Sequence, residues 1–253
     1  MYQYLHEILK DHKGETVFAC FGSWHILYMA IIFGTIIGIL AGFRNKGDYV
    51  RRRVIRSTIS AAFCLYIADF FLMPFAYGSI DLEKLPFHMC TMMCVLGFLS
   101  TYGILFPRHR RRFALLGLVS NLIYVIYPAG VGWYQIHPIS YRVVQTMLFH
   151  GLMSAYGIFV LAFDEKTLSW KDVWKDIWVI ACVVLWAMLG NWLYNGSGGM
   201  LAAFNWFFVV RDPFYILPAD IAQYIMPVVM IVVIFVADVL IRGLYIAIRK
   251  LHQ

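Results

Sequence analysis

Long apolar runs, separated by short polar segments rich in arginine and lysine, repeat along the whole chain. Seven of them approach the roughly 20 residues that one bilayer crossing needs: Trp24–Phe43, Val54–Ala76, Pro86–Phe106, Phe113–Tyr127, Val143–Phe163, Val173–Leu193 and Ile221–Ile241. The fourth is short and extends through apolar residues to Val131. The pattern predicts an all-α polytopic membrane protein with about seven transmembrane helices, forming one helical domain over residues 1–253. Met1–His12 reads as a short amphipathic helix at the interface, within an N-terminal segment 1–16. The long irregular segment 195–218 opens with NGSGG and reads as an outer loop or lid with glycine hinges.

Composition sharpens the class. The chain is 62% hydrophobic and 14% charged, against about 45–50% and about 25% in soluble domains. Disordered, disulfide-stapled and ordinary cytosolic classes are thereby excluded. Cys20, Cys64, Cys90, Cys94 and Cys182 have no zinc-ligand spacing and read as small buried hydrophobes. The first sixteen residues mix acids and bases, so no cleavable signal peptide is expected there.

The net charge of +7 would raise the question of nucleic acid in a soluble protein. Here its distribution answers first. Arg44, Lys46, Arg51, Arg52, Arg53 and Arg56 fall between spans one and two, and Arg108, Arg110, Arg111 and Arg112 between three and four. Lys166, Lys171 and Lys175 follow span five, and Arg242, Arg249 and Lys250 follow span seven. The opposite side holds only Lys10, Lys13, Lys84, Arg142 and Arg211. The bias predicts an outer N-terminus and a cytoplasmic C-terminus, and no nucleic-acid partner. Trp170, Trp174 and Trp178 are expected in the inner interfacial belt, and Trp133, Trp192 and Trp206 in the outer one.

Ionisable side chains are costly in hydrocarbon, so those within the spans are functional candidates. His25, Asp69, His88, His150, Asn191 and Asp220 all fall in the outer half. This suggests a polar pocket opening outward, with helix–helix hydrogen bonding as the plainer alternative. Asp238 lies in the inner half with Arg242 one turn on as its partner. Asn195-Gly196-Ser197 matches the N-glycosylation pattern, which is common by chance.

Histidines 88 and 150 suit proton transfer. Cys90, two residues from His88, points away from it on a helix, whereas Thr91 shares its face. Thr146, His150 and Ser154 form an i, i+4 stripe. His25, Asp69, His88 and His150 include metal-binding types, but their scatter carries little weight, and no metal or cofactor is expected. GxSxG and HExxH are both absent.

Leu85-Pro86-Phe87-His88-Met89-Cys90 resembles the LPLHLC motif of the YwaF-type bacterial integral membrane proteins. Pro128 follows, His150 resembles that family's lone fifth-helix histidine, and Asn191, Asn205-Trp206-Phe207-Phe208-Val209 and Asp212-Pro213 resemble its N…NYMFL…P signature. The resemblance spans roughly Leu85 to Pro218. The family is similar to the eukaryotic transmembrane protein 164 acyltransferases and, more distantly, to the androgen-induced membrane hydrolases. It implies a multi-helix bundle in the bacterial cell membrane with a lipid-facing site around His88 and His150. The acyltransferases use a cysteine directly before the third-helix histidine, a place held here by Phe87. The hydrolases use a threonine and a histidine, which directs attention to Thr91.

The leading expectation is a lipid-acyl enzyme, either acyltransferase or ester hydrolase, acting on membrane lipids. His150 would be the base, His88 would polarise the ester carbonyl or assist the nucleophile, and Thr91, Cys90 or water would attack. His25, Asp69, Asn191, Asn205 and Asp220 would line the pocket. The rival readings are a lipid or small-molecule binding or transport protein without chemistry, and an accessory subunit of a membrane complex.

Overall fold

The computed structural model describes residues 2–78, 82–132, 134–164, 168–195, 204–213 and 216–251. Among these the chain is helical and contains no strand: α1 (Tyr2–Leu9), α2 (Ser23–Phe43), α3 (Asp48–Tyr77), α4 (Met89–Thr101), α5 (Arg110–Ile126), α6 (Ala129–Gly132), α7 (Tyr141–Phe163), α8 (Val173–Asn195) and α9 (Ala219–Leu251). Six stretches are long and apolar enough to cross a membrane: α2, α3, the stretch Pro107–Gly132 containing α5 and α6, α7, α8 and α9. The third expected span is the exception. It forms a helix of 13 residues, about 20 Å long, against a hydrocarbon layer of about 30 Å. Pro86 and the turn leading to His88 delay its start. At its end Gly103, at φ +74°, accepts the left-handed conformation, and the Ile104 and Gly103 amides bond back to Leu99 and Ser100.

Two compact units emerge, Met1–Leu82 with Cys94–Asp164 and Glu83–Met93 with Glu165–Gln253. In the first, α7 is the core helix: 78% of its apolar window is buried, against 6% for α2. Both α3 and α5 run antiparallel to it. Along α3, Asp69 faces Tyr141 and Tyr66 meets Phe149. Along α5, Tyr124 stacks on His150, Leu118 meets Gly157, and Arg110 and Arg111 clasp Asp164 at 2.6 and 3.0 Å. Gly157 is what lets α5 approach so closely, because a Cβ there would lie 2.5 Å from Leu118 Cβ and 2.7 Å from the Ala114 carbonyl. Helix α1 docks on α3 through Leu9, Met73 and Ala76, and His6 Nδ1 bonds the Phe75 carbonyl at 3.0 Å.

In the second unit, α8 packs on α9 around a buried ion cluster. The expected Asp238–Arg242 pair is present at 3.6 Å, but Arg242 also binds Asp176 on α8 and gives a hydrogen bond to the Ser169 carbonyl at 2.8 Å. All three side chains are at most 1% exposed. The expected burial of the cysteines holds only for Cys94; Cys64 and Cys182 are exposed on helix faces that an apolar solvent would cover.

Two expectations follow for stability. Gly157→Val should cost about 1–3 kcal/mol through overpacking, read as a lowered thermal unfolding temperature in detergent. Gly38→Ala, with open space around it, should not lower it. Arg242→Ala should cost about 3–5 kcal/mol, because it strands two buried carboxylates.

Candidate functional site

His150, Asp69 and His25 belong to the first unit, and each has its own partners. His25 is fully engaged: its Nδ1 accepts the Phe21 amide at 2.9 Å, so its Nε2 carries the hydrogen donated to the Val125 carbonyl, also at 2.9 Å. The ring straps the start of α2 to the end of α5 and has no nitrogen left for a ligand. Asp69 is 1% exposed and faces Tyr141 at the start of α7.

His150 is built differently. Its Nδ1 lies 2.8 Å from the Thr146 carbonyl, which can only accept, so the hydrogen sits on Nδ1 and Nε2 keeps the lone pair. Tyr124 stacks flat on the ring, centroids 4.0 Å apart at 14°, and Phe149 meets it edge-on at 5.1 Å. These contacts fix the orientation of the ring, and in its neutral form the lone pair lies on Nε2. One turn on, the buried Ser154 hydroxyl has no hydrogen-bond partner among the described residues.

In the second unit the motif residues converge on a single turn of chain. Asn191 Nδ2 donates to the Trp206 carbonyl at 3.0 Å while its Oδ1 accepts the Trp206 amide at 3.1 Å. Asn195, one helical turn later, pairs in the same two-way fashion with Phe204, at 2.9 and 3.0 Å. Residues four apart on a helix match residues two apart on extended chain in spacing, roughly 6 Å against roughly 6.6 Å. The end of α8 thus offers two carboxamides where a strand would offer peptide groups. Asn205 Oδ1 then accepts the amides of Val210 and Arg211, and Asp212 accepts those of Ile216 and Leu217.

His88 closes this arrangement. It caps α4, its carbonyl accepting the Met92 amide at 2.9 Å, and its Nδ1 accepts the Phe207 amide at 3.1 Å. The neutral ring must then carry its hydrogen on Nε2, the opposite tautomer to His150. Phe207 and Phe208 both adopt positive φ, 55° and 54°, which costs a non-glycine residue about 1–2 kcal/mol each. Phe21, which donates to His25, is also left-handed at 62°. In both places a strained phenylalanine aims its amide at an imidazole. Phe87 lies against Gly190, where any Cβ would strike its ring, and stacks among Trp186 and Trp206.

Other candidates resolve as follows. Thr91 gives its hydroxyl hydrogen to the His88 carbonyl at 3.0 Å, not to the ring. Cys90 is half-buried in the first turn of α4. Asp220 is exposed in the first turn of α9, where a carboxylate suits the helix dipole, and does not join the turn around Asn205. Trp206 is not in an interfacial belt: it is 1% exposed, stacked on Phe204, with its Nε1 bonded to the Glu83 carbonyl at 3.2 Å. The motif needs its whole ring as core. Trp170, Trp174, Trp178 and Trp192 are exposed, while Trp133, Gly196–Met200 and the rest of 196–203 lie outside the described residues. Asn195, read earlier only as part of a glycosylation pattern, has its amide committed to Phe204. Its spacing of four from Asn191 was the available signal. No three His, Cys, Asp or Glu side chains gather as a metal-ligand set among the described residues.

The family model of the TMEM164 family matches residues 20–241, most of the chain; the chain belongs to this family and is a multi-pass membrane protein. No curated protein and no solved structure matches it.

Asn191→Ala removes both bonds to Trp206 and leaves its peptide groups unmet, at about 1–3 kcal/mol. Amide hydrogen exchange at Trp206 and Phe207 should speed up by at least roughly fivefold, while α7 amides keep their protection.

Proposed function

We propose that this TMEM164-family protein is a lipid-acyl enzyme, an acyltransferase or ester hydrolase, that works on membrane lipids in a bacterial cell membrane with its N-terminus outside. The observation that supports the reading is that a main-chain group fixes the hydrogen position of each motif histidine within its own unit. His150 presents a lone pair on Nε2, the form a general base requires. His88 presents an N–H on Nε2, the form that polarises an ester carbonyl and steadies the developing oxyanion.

In the reaction so read, an O–H or S–H nucleophile attacks the ester carbonyl carbon, and His150 Nε2 takes its proton. The tetrahedral oxyanion collapses, the ester C–O bond breaks, and the departing alcohol recovers the proton from His150. When the nucleophile is water the acid is released directly; when it is Thr91 or Cys90, water or a second lipid's hydroxyl then attacks the acyl-enzyme, the bond to the side chain breaks, and the side chain recovers its proton through His150. Thr91, Cys90 and water are the candidate nucleophiles. Asn191, Asn195 and Asn205 then act as positioning residues, since they hold the turn whose Phe207 amide fixes the His88 ring.

Purified protein incubated with mixed phospholipids, with acyl exchange and release followed by mass spectrometry, tests this. His150→Ala and His88→Ala should each lower turnover by about 10²-fold or more. Cys90→Ala and Thr91→Val identify the nucleophile by which one abolishes turnover, and activity retained in both points to water. Turnover unchanged in both histidine variants would sink the assignment.

A further inference from the structure

Two helices of the first unit open on arginine triplets: Arg51, Arg52 and Arg53 near the start of α3, and Arg110, Arg111 and Arg112 at the start of α5. A helix start favours anions and disfavours cations, so helix formation does not account for them. Local ion pairing accounts for only part. Asp48 lies 3.6 Å from Arg51, and Asp164 takes Arg110 and Arg111. Burial by itself would push the Asp164 carboxyl up, but the hydrogen bonds and charge of those two arginines outweigh it and hold it below the ordinary value. Asp164 therefore stays ionised and offsets one of the two charges beside it. Arg52, Arg53 and Arg108 are exposed and make no ion pair among the described residues.

These charges lie together. Since α3 and α5 both run antiparallel to α7, their starts share the end of the unit where α7 finishes. Arg56 lies over the Tyr102 ring at 5.7 Å, and the Tyr102 hydroxyl bonds Ser60 at 2.7 Å. Tyr102 directly precedes the Gly103 turn that leads to Arg108. Exposed apolar side chains stand among the cations: Tyr49 at 77% and Phe106 at 51%. Setting orientation in the membrane requires only a surplus of lysine or arginine. These two loops carry nine arginines and one lysine, whereas the loop holding Lys166, Lys171 and Lys175 carries lysine alone. The planar guanidinium binds phosphate through two parallel hydrogen bonds, which an ammonium cannot do.

We propose that this end of the first unit is a binding surface for anionic phospholipid headgroups, with Arg52, Arg53, Arg56 and Arg108 on the phosphates and Tyr49 and Phe106 at the acyl boundary. A net-negative headgroup is preferred over a zwitterionic one because the arginines here outnumber the carboxylates beside them, Asp48 and Asp164. The assignment does not depend on the acyl chemistry.

Full-length protein in phosphatidylcholine nanodiscs, with spin-labelled phosphatidylglycerol or spin-labelled phosphatidylcholine as probe, tests it through the fraction of motionally restricted lipid. Phosphatidylglycerol should be favoured severalfold at low salt, and the preference should fade at high salt. The triple variant Arg52→Gln/Arg53→Gln/Arg108→Gln should bring the preference down by at least about half, toward parity of the two lipids. These residues are exposed and Asp164 keeps both its partners, so circular dichroism and thermal unfolding should match the parent. Equal restriction of the two lipids, or an unchanged preference in the triple variant, overturns the proposal. So does inorganic phosphate that displaces the labelled lipid better than chloride at equal ionic strength, which would mark a soluble-phosphate site.

Discussion

A backbone carbonyl or amide that leaves the helical ladder at membrane depth finds no water to receive it, so the protein must supply a partner. This one requirement governs where the polar side chains of this chain are spent. His25 answers Phe21 and Val125, and Tyr28 answers the Pro138 carbonyl. Arg242 answers Ser169, and Asn191, Asn195, Asn205 and Asp212 between them answer most of the turn from Phe204 to Leu217. Irregular backbone is tolerated in these places because a side chain was placed there to satisfy it.

The same requirement distinguishes the histidines from one another. A histidine with both nitrogens on main-chain groups is a strut, and His25 is one. In a neutral histidine with one nitrogen so bound, the bound nitrogen dictates which form the other takes. His150 and His88 are of this second kind, and they fall to opposite sides of the choice. The strain at Phe207 and Phe208 fits the picture: the turn adopts a costly conformation that aims an amide at His88, and the asparagines of α8 hold it there.

Much of this was legible in the sequence, and the remainder has a common reason for being hidden. Apolar runs located the long helices, and charge spacing found Asp238–Arg242. The motif order drew attention to His88, His150, Asn191 and Asn205. Asp176 was missed because its partner is on another helix at no fixed spacing. The two-sided use of His25 and the burial of Trp206 were missed because their partners are peptide groups, which every residue possesses and no composition reveals. The shortness of α4 was hidden too, since Pro86–Phe106 is a long, mostly apolar run and only the turns at its ends cut the helix to 13 residues.

That short helix has a mechanical meaning. Six long helical stretches match an ordinary bilayer, while α4, with the His88 cap at its head, matches one roughly 10 Å thinner. Mismatch of this kind costs fractions of a kcal/mol per Å and is relieved by thinning the lipid nearby or drawing headgroups and water inward. A helix of this length, wherever it reached lipid, would draw the headgroups toward the His88 cap, and the acyl-chain length of the host membrane would set how far.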